Sequence, residues 1–277
     1  MDLRLPPGPV DLRSLDTRAT PGFTGNKADG EETLAALGPA LADLQERLFA
    51  EGTAGSARRV LLVLQGMDTS GKGGTLRHTV GLMDPQGVRI HSFKAPTKEE
   101  LAHDFLWRIE NALPEAGYVG VFDRSHYEDV LIVRVRELAP AEEVERRYGA
   151  INDFEQRLVE SGTTIVKCML HISAAEQEER LQARLDDPTK HWKFNTQDLD
   201  ERALWPAYRD AYEIALERTN TEHAPWHVIP ADRKWFRNLA VGRLLHAALE
   251  GLDPQWPVAD FDVAAEKERL AEEDPVA

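Results

Sequence analysis

The 277-residue sequence contains a single cysteine, so no disulfide bond can form within the chain. That residue, Cys168, lies in the apolar run TIVKCML, which predicts a buried core thiol rather than a nucleophile. No apolar run approaches the ~20 residues that a bilayer-spanning helix needs. The N-terminal stretch MDLRLPPGPVDLRSL also lacks the apolar core of a secretory signal. These absences predict a cytoplasmic protein that does not bind membranes.

Basic residues are in deficit, with 33 Lys and Arg against 48 Asp and Glu and a net charge of −15. Broad nucleic-acid binding needs a basic field, so nucleic acid is not an expected partner. A polyanionic substrate stays possible if the basic side chains converge in one channel. The hydrophobic fraction of 42% is ordinary for a globular protein of this length, which has room for one large α/β domain.

Short apolar runs alternate with segments of helical periodicity along most of the chain. Runs of this kind are typical of strands buried in a parallel sheet, and the alternation places helices on both faces. We therefore predict a three-layer α/β/α fold with a five-stranded, mostly parallel sheet. The predicted strands are 60–64, 88–93, 118–122, 164–172 and 226–231.

Helical spacing of apolar residues predicts helices at 31–52, 98–113, 126–138, 141–162, 174–187, 199–219 and 233–252. We expect residues 1–55 to form an N-terminal arm and a helix that packs on the core. The core itself should span 56–252, with a lid at about 180–200. Residues 253–277 hold eight acidic and two basic residues, which predicts a solvated, partly disordered tail.

The segment GMDTSGKGGT (66–75) nearly matches the phosphate-binding pattern G-x-x-x-x-G-K-[ST]. It follows a predicted strand and precedes a predicted helix, which is the context that phosphate binding requires. Gly73 replaces the hydroxyl residue that ligates magnesium in other such loops. Asp68, inside the loop, is a hard oxygen ligand that could bind the metal instead, or it could cap the turn. The predicted phosphate-binding residues of this loop are Gly66, Met67, Thr69, Ser70, Gly71, Gly73 and Gly74.

The segment VGVFDRSHYED (119–129) places Asp123 at the end of a buried strand, a position that holds magnesium in related loops. Arg124 follows at the same strand end, where ligands of open α/β sheets gather. The alternative is that Asp123 or Ser125 caps a helix and Arg124 forms a surface ion pair.

Four bases fall in the predicted lid. Arg180 and Arg184 are spaced i, i+4 and share one helix face, and Lys190 and Lys193 follow on a polar stretch. They could grip a polyanion, or they could be neutralised by neighbouring carboxylates on a solvated surface. Elsewhere, Asn26-Lys27-Ala28-Asp29 spells the N-K-x-D of guanine-specific GTPases, but no strand precedes it, so we reject a GTPase.

Together these segments resemble the polyphosphate kinase 2 family. The blocks of that family that match, in chain order, are GMDTSGKGG, HDFLWR, FDRSHYEDVLIVRV, DPTKHWKF and APWHVIPADRKWFRNLAV, and the resemblance runs from about residue 22 to about residue 252. Because Asp123 stands where many members have Asn, the chain resembles the subgroup (class III-like) that accepts nucleoside mono- and diphosphates. The resemblance implies a P-loop kinase-like fold, similar to thymidylate kinase, with a helical lid.

The resemblance also implies Mg²⁺-dependent phosphoryl transfer, with Mn²⁺ as an alternative metal, between inorganic polyphosphate and adenine or guanine nucleotides. Asp68 and Asp123 would hold the metal, while Lys72 and Arg124 would stabilise the transferring phosphoryl group. The lid bases Arg180, Arg184, Lys190 and Lys193 would hold polyphosphate. The acceptor nucleotide would enter beside Lys94, Asp104, Arg108 and Glu128. We further expect a homo-oligomer, either a dimer or a tetramer.

Two other functions fit the sequence. An ATP-dependent nucleoside monophosphate kinase would share the fold and the lid, and only the Asp68–Gly73 loop argues against it. A non-catalytic nucleotide sensor, acting through its N-terminal helix, would not need Asp68 and Asp123.

Overall fold

The computed structural model describes residues 3–273 and shows one five-stranded sheet flanked by helices. All neighbouring strands are parallel and follow the order β2-β3-β1-β4-β5, which confirms the predicted α/β class. The strands are β1 (Arg59–Gln65), β2 (Val88–Ser92), β3 (Val119–Asp123), β4 (Thr163–His171) and β5 (Trp226–Pro230).

Most of the long α-helices cover the sheet, the short ones lie in its connections, and the last one is exposed in the C-terminal tail. They are α1 (Lys27–Thr53), α2 (Lys72–His78), α3 (Trp107–Glu110), α4 (Ile132–Val135), α5 (Ala141–Glu160), α6 (Ala174–Leu185), α7 (Gln197–Ala203), α8 (Trp205–Thr219), α9 (Lys234–Leu252) and α10 (Val263–Glu272). One group packs α1 and α2 against α9, and another packs α5 against α8. Short 3₁₀ turns occur at Leu12–Ser14, Val80–Leu82, Pro85–Gly87, Glu100–Ala102, His126–Asp129 and Pro188–Lys193.

The centre of the sheet forms the hydrophobic core. Residues 60–65 of β1 are fully buried, as the continuous apolar run predicts, and Cys168 on β4 is a buried free thiol. In the register of the sheet, Asp123 lies beside Leu64 of β1 on one side and Ser92 of β2 on the other. The carboxyl ends of the three strands therefore meet at one edge, next to the phosphate-binding loop.

A buried polar cluster fixes the chain just beyond β3. Lys167 on β4 donates to Glu155 Oε2 at 2.6 Å, to the Tyr127 hydroxyl at 2.8 Å and to the carbonyl of Thr219 at 2.8 Å. Tyr127 also donates to Glu155 Oε1 at 2.8 Å, and both ionic side chains are fully buried. Because every proton of the ammonium group has an acceptor, the cluster anchors the segment that carries Glu128 and Asp129.

Two predicted helices are wrong. Residues 98–113 form only the 3₁₀ turn at Glu100–Ala102 and α3, because His103 is extended and the Asp104 carboxylate caps the amide of Leu106 at 3.0 Å. Residues 126–138 form a 3₁₀ turn and α4, with non-helical backbone at Val130 and Leu131. Burial of Tyr127 in the polar cluster overrides the helical pattern here.

Other boundaries also differ from the sequence prediction. The helix predicted to begin at residue 31 begins at Lys27, because Asn26 and Asp29 form a capping box. That is the structural role of the N-K-x-D segment. The helix predicted at 199–219 is split at Leu204 into α7 and α8, with Pro206 in the first turn of α8. The predicted tail includes the exposed helix α10, and its last four residues lie outside the described range.

Candidate active site

The loop between β1 and α2 has the geometry of an anion-binding site. Gly71 precedes α2 with a φ of 106°, and no side chain caps the helix. The first amide groups of α2 therefore have no partner from within the helix and face the loop. Gly66, at φ 148°, lies so close to Leu170 that an added Cβ would come within 2.6 Å of its carbonyl oxygen. Only glycine fits there, and its amide donates to the Tyr212 hydroxyl at 3.0 Å.

Lys72 bends back over the loop and donates to the carbonyl of Gly66 at 2.9 Å. Burial lowers the pKa of its ammonium group, and the positive charge of Arg124 adds to this effect, while Asp123, Asp68 and Glu128 oppose it. A cation whose charged form is disfavoured by desolvation gains most from an incoming anion. This position suits a lysine that contacts a phosphate group.

Arg124 links the loop to the end of β3. Its φ of 64° lies in the left-handed region, which residues other than glycine rarely adopt. Its guanidinium donates to Asp68 Oδ1 at 2.9 Å. Its pKa is raised, because Glu128 and Asp68 outweigh the opposing effect of burial. Thr69 in the loop has the same φ of 64°. Such strain is found at binding and catalytic sites, where the surrounding structure holds it in place.

Asp68, Asp123, Arg124 and Glu128 surround the same space as Lys72. Glu128 is half-buried, and desolvation raises the pKa of its carboxyl group, while the charges of Arg124 and Lys72 oppose this effect. The structure thus brings all four predicted catalytic residues, and Glu128, to one edge of the sheet. Within residues 3–273 no three carboxylate, histidine or cysteine side chains form a metal-binding group. Two carboxylates still suit Mg²⁺, which usually takes one or two from the protein and its other ligands from water and phosphate.

A cavity of about 580 Å³, which we call the acceptor cavity, opens from this edge. Its walls include the predicted residues Lys94, Arg108 and Glu128 together with an apolar part formed by Phe93, Leu131 and Ile132. Asp104 is not among the lining residues. Its carboxylate is more than half exposed and lies 3.6 Å from Arg146, so the structure does not bring it to the other three.

Sequence reasoning missed Asp129 and Arg147 in the acceptor cavity. Arg108 donates to Asp129 Oδ2 at 3.2 Å, and Arg147 donates to Asp129 Oδ1 at 3.3 Å. One carboxylate therefore holds two guanidinium groups at the cavity wall. Asp129 is part of FDRSHYED and could have been found there. Arg147 lies on α5, and only the fold brings it to this place.

Arg180 is not available at the surface. Only 8% exposed, it donates to the carbonyls of Thr69 and Ser70 at 2.8 and 3.0 Å and to that of Ala231 at 2.6 Å, and it pairs with Glu176 at 2.8 Å. The guanidinium therefore joins the phosphate-binding loop to the turn after β5. This geometry favours a positioning role over the predicted direct contact with polyphosphate.

Of the remaining three lid bases, Arg184 lies in the last turn of α6, and Lys190 and Lys193 lie between α6 and α7. Arg184 donates to the carbonyl of Lys193 at 2.9 Å and pairs with Asp198 at 3.1 Å, and Lys190 pairs with Asp187 at 2.7 Å. The ammonium group of Lys193 lies 4.9 Å from the ring centre of Trp192, which is itself 79% exposed. Each base except Lys193 thus has a carboxylate beside it, as the solvated-surface alternative also requires.

Two further residues that contact the loop were missed. Gln177 on α6 donates to the carbonyl of Asp68 at 3.0 Å. Arg237 on α9 is 3% exposed and donates to the carbonyl of Ser70 at 3.4 Å. Its guanidinium fills the space beside Gly71 and Gly74, where an added Cβ would come within 1.7 and 2.6 Å of its nitrogens. The block APWHVIPADRKWFRNLAV contains Arg237, but its burial could not be read from that sequence.

Comparisons with known proteins identify the family of the chain. The family model described as polyphosphate kinase 2 matches residues 24–257. An AMP/ADP-polyphosphate phosphotransferase of Meiothermus ruber is 48% identical over 252 residues, which cover 91% of this chain and 93% of the relative. An ADP-polyphosphate phosphotransferase of Rhodopseudomonas palustris is 42% identical over 260 residues, or 90% and 88% of the two chains.

Among solved structures, polyphosphate kinase 2 from Arthrobacter aurescens TC1 is 61% identical and superimposes with a TM-score of 0.95. The match covers 98% of this chain and 95% of that one. The family match spans the phosphate-binding loop with Asp68, the end of β3 with Asp123, the lid and α9, and the solved structure shares the fold. The chain belongs to the polyphosphate kinase 2 family.

Proposed function

We propose that the chain transfers phosphoryl groups between inorganic polyphosphate and nucleotides, with AMP and ADP as acceptors and GMP and GDP as further candidates. The main support is the convergence of two carboxylates, Asp68 and Asp123, and two cations, Lys72 and Arg124, beside the phosphate-binding loop. Relatives that match nine tenths of the chain are named for transfer between polyphosphate and AMP or ADP.

The reaction needs little covalent chemistry from the protein. A terminal phosphate oxygen of the nucleotide forms a bond to the last phosphorus of polyphosphate, while the bond from that phosphorus to the bridging oxygen breaks. The bridging oxygen keeps the electron pair and becomes the new end of a chain that is one phosphate shorter. Negative charge accumulates around the transferring group, so cations held in place beforehand lower the barrier. Lys72 and Arg124 are placed to do so.

Asp68 and Asp123 are the residues that would hold Mg²⁺, or Mn²⁺ in its place. A bound magnesium ion supplies positive charge that neutralises phosphate oxygens. In this role Asp68 would replace the hydroxyl that is missing at Gly73, where an added Cβ would meet no atom within 4 Å. The loop is therefore complete for phosphate binding, and its departure from the usual pattern concerns only the metal ligand.

The acceptor cavity fits a nucleotide. Its apolar wall offers a surface for a base, and Arg108 and Arg147 at the other wall offer guanidinium groups for phosphate. A volume of about 580 Å³ lies in the range of small-molecule sites. Acceptance of both mono- and diphosphates, which Asp123 suggests by subgroup resemblance, is part of the same proposal.

The test is a product assay with purified protein, Mg²⁺ and a single phosphate donor. With polyphosphate, we expect ADP to give ATP and AMP to give ADP, and the same assay on GMP and GDP measures base preference. Conversion of AMP by ATP, with polyphosphate inert, would establish the monophosphate kinase alternative instead. Nucleotide binding without any turnover would favour the non-catalytic sensor. If ADP reacts and AMP does not, only the subgroup assignment fails.

A further inference from the structure

Gln65, the last residue of β1, has a polar side chain that is completely buried beside the edge of the sheet that carries Asp123. It follows Leu64, the neighbour of Asp123 in the sheet, and precedes Gly66, the first residue of the phosphate-binding loop. An amide group buried in this way is costly unless its oxygen and its nitrogen both have partners. The partners of Gln65 therefore show what this position holds in place.

Ser125 determines which way the amide group of Gln65 points. A backbone N–H can only donate, so the side-chain oxygen of Gln65 faces the amide of Ser125, which lies 3.1 Å away. The same oxygen lies 3.0 Å from the Ser125 hydroxyl. That hydroxyl accepts from the amide of Tyr127 at 3.2 Å, which leaves its own proton to be donated to Gln65. Both donors of Ser125 thus call for the oxygen of Gln65 on this side.

With its oxygen on Ser125, Gln65 turns its NH₂ group toward Glu128. The side-chain nitrogen lies 3.1 Å from Glu128 Oε1 and donates to it. Desolvation raises the pKa of Glu128, and the bond from Gln65 acts in the opposite direction, because it favours the ionised carboxylate. A fully buried amide therefore holds one oxygen of a half-buried carboxylate.

Glu128 is held from two directions. The backbone beside it is anchored through Tyr127, whose hydroxyl lies in the buried cluster of Lys167 and Glu155, and its carboxylate is held by Gln65. The second carboxylate oxygen, Oε2, forms no hydrogen bond within residues 3–273, and Glu128 lines the acceptor cavity. A carboxylate repels the phosphates of a nucleotide, whereas ribose hydroxyls and base amino groups can donate to it.

We propose that Gln65 is a positioning residue for the acceptor nucleotide, because it holds the carboxylate of Glu128 where it accepts a hydrogen bond from the nucleoside. Gln65 does not line the acceptor cavity, so it acts only through Glu128. This inference rests on the proposed function and adds a residue that binds no substrate itself. It separates two roles at this edge, since Lys72 and Arg124 act on the transferring phosphate and the Gln65–Glu128 pair acts on the nucleoside.

The test is a double-mutant cycle of Gln65→Met and Glu128→Ala. Methionine matches the length of glutamine but cannot donate to Glu128, and Gln65→Asn, which shortens the reach of the amide, repeats the test if Gln65→Met does not fold. The matched control is Gln45→Met, because Gln45 on α1 is also buried, accepts from the amide of Asp84 at 3.0 Å and lies outside the acceptor cavity. Circular dichroism and thermal unfolding establish that each variant is folded.

We expect Gln65→Met to raise the KM for ADP about tenfold, which corresponds to one lost hydrogen bond to a charged group. The kcat at saturating ADP and the KM for polyphosphate should each change less than about twofold. In the Glu128→Ala background, Gln65→Met should change the KM for ADP less than about twofold, because its partner is already gone. Gln45→Met should lower the thermal midpoint as Gln65→Met does and leave all three kinetic constants unchanged.

Calorimetric titration with ADP and Mg²⁺, without a donor, should give dissociation constants that follow the same cycle. An unchanged KM for ADP in Gln65→Met, a loss confined to kcat, or equal losses with and without Glu128 would each overturn the inference and leave the proposed function intact. Wild-type protein that transfers no phosphate from polyphosphate would instead refute the proposed function, while the calorimetric cycle would still decide the role of Gln65.

Discussion

The strand-end edge and the lid carry charged residues of the same kinds, but the two regions hold them differently. At the edge, Lys72 and Arg124 lie among Asp68, Asp123 and Glu128, on backbone that is strained and braced by buried contacts. In the lid, Arg184 forms a partly exposed pair with Asp198 of the next helix, and Lys190 forms a partly exposed pair with Asp187, three residues before it. At the edge, the charged side chains all surround the space where the phosphoryl group would bind. In the lid, Arg184 and Lys190 are each neutralised by one carboxylate.

This contrast explains what each region can contribute. Prearranged charges in a partly desolvated space stabilise a transition state strongly, because no reorganisation is needed as the reaction proceeds. Exposed ion pairs contribute little to stability, since water and salt screen them, and they exchange partners readily. We therefore expect the edge to determine the rate of the chemical step and the lid to determine mainly how polyphosphate is held. The predictions below test this division, from the largest effect to the smallest.

The largest effect should come from the two proposed metal ligands, Asp68 in the loop and Asp123 at the end of β3. Asp68→Asn and Asp123→Asn should each lower turnover at least ~100-fold, which corresponds to about 2.7 kcal/mol of transition-state stabilisation. Steady-state kinetics with polyphosphate, ADP and saturating Mg²⁺ measure the loss. Thermal unfolding is the control for folding. If the two residues only cap a turn and a helix, stability should fall by about 1 kcal/mol with nearly normal turnover.

Arg180 and Arg184 form a matched pair on one helix and should behave differently. Arg180→Ala removes a buried guanidinium from backbone carbonyls of the loop and from Glu176, so the free energy of unfolding should drop by about 3 kcal/mol. Arg184→Ala breaks a partly exposed pair with Asp198 and should cost less than about 1 kcal/mol. Denaturant unfolding measures both values. Similar losses would mean that Arg180 does not brace the loop.

The smallest effect on turnover should come from the two lid lysines. Lys190→Ala combined with Lys193→Ala should raise the apparent KM for polyphosphate and leave the KM for ADP nearly unchanged. By analogy with nucleic acids, the plot of log KM against log salt should become shallower by roughly one unit for each lost phosphate contact. An unchanged slope would mean that these lysines lie on the surface without contacting polyphosphate, as the ion pair between Lys190 and Asp187 would allow.

The sheet and the catalytic edge could be predicted because both depend on local pattern. A continuous apolar run followed by a glycine loop determines β1 and its loop, and Asp123 ends a run of the same kind. The prediction of a helix at 98–113 was wrong because the side chain of Asp104 accepts the hydrogen bond of the Leu106 amide. The spacing of apolar residues carries no information about such a contact. The role of Arg180 was equally hidden, since its partners Thr69 and Ala231 are distant in sequence and meet only in the fold.

Other features of the chain stay predictions. They are the domain boundaries, the assembly into a dimer or tetramer, and the cytoplasmic location. No helix within residues 3–273 is long and apolar enough to cross a bilayer. The role of Asp104 in nucleotide binding also stays a prediction, and its position outside the acceptor cavity gives it no support.

The division between edge and lid is tested most directly by the maximal turnover of two variants at saturating polyphosphate, ADP and Mg²⁺ in low salt. Lys190→Ala with Lys193→Ala should reach at least about half of the wild-type kcat once polyphosphate saturates, because only the grip on the donor is weakened. Asp123→Asn should stay at least ~100-fold below wild type at every polyphosphate concentration, because the loss lies in the chemical step. A lid variant whose kcat falls as far as that of Asp123→Asn would contradict the account.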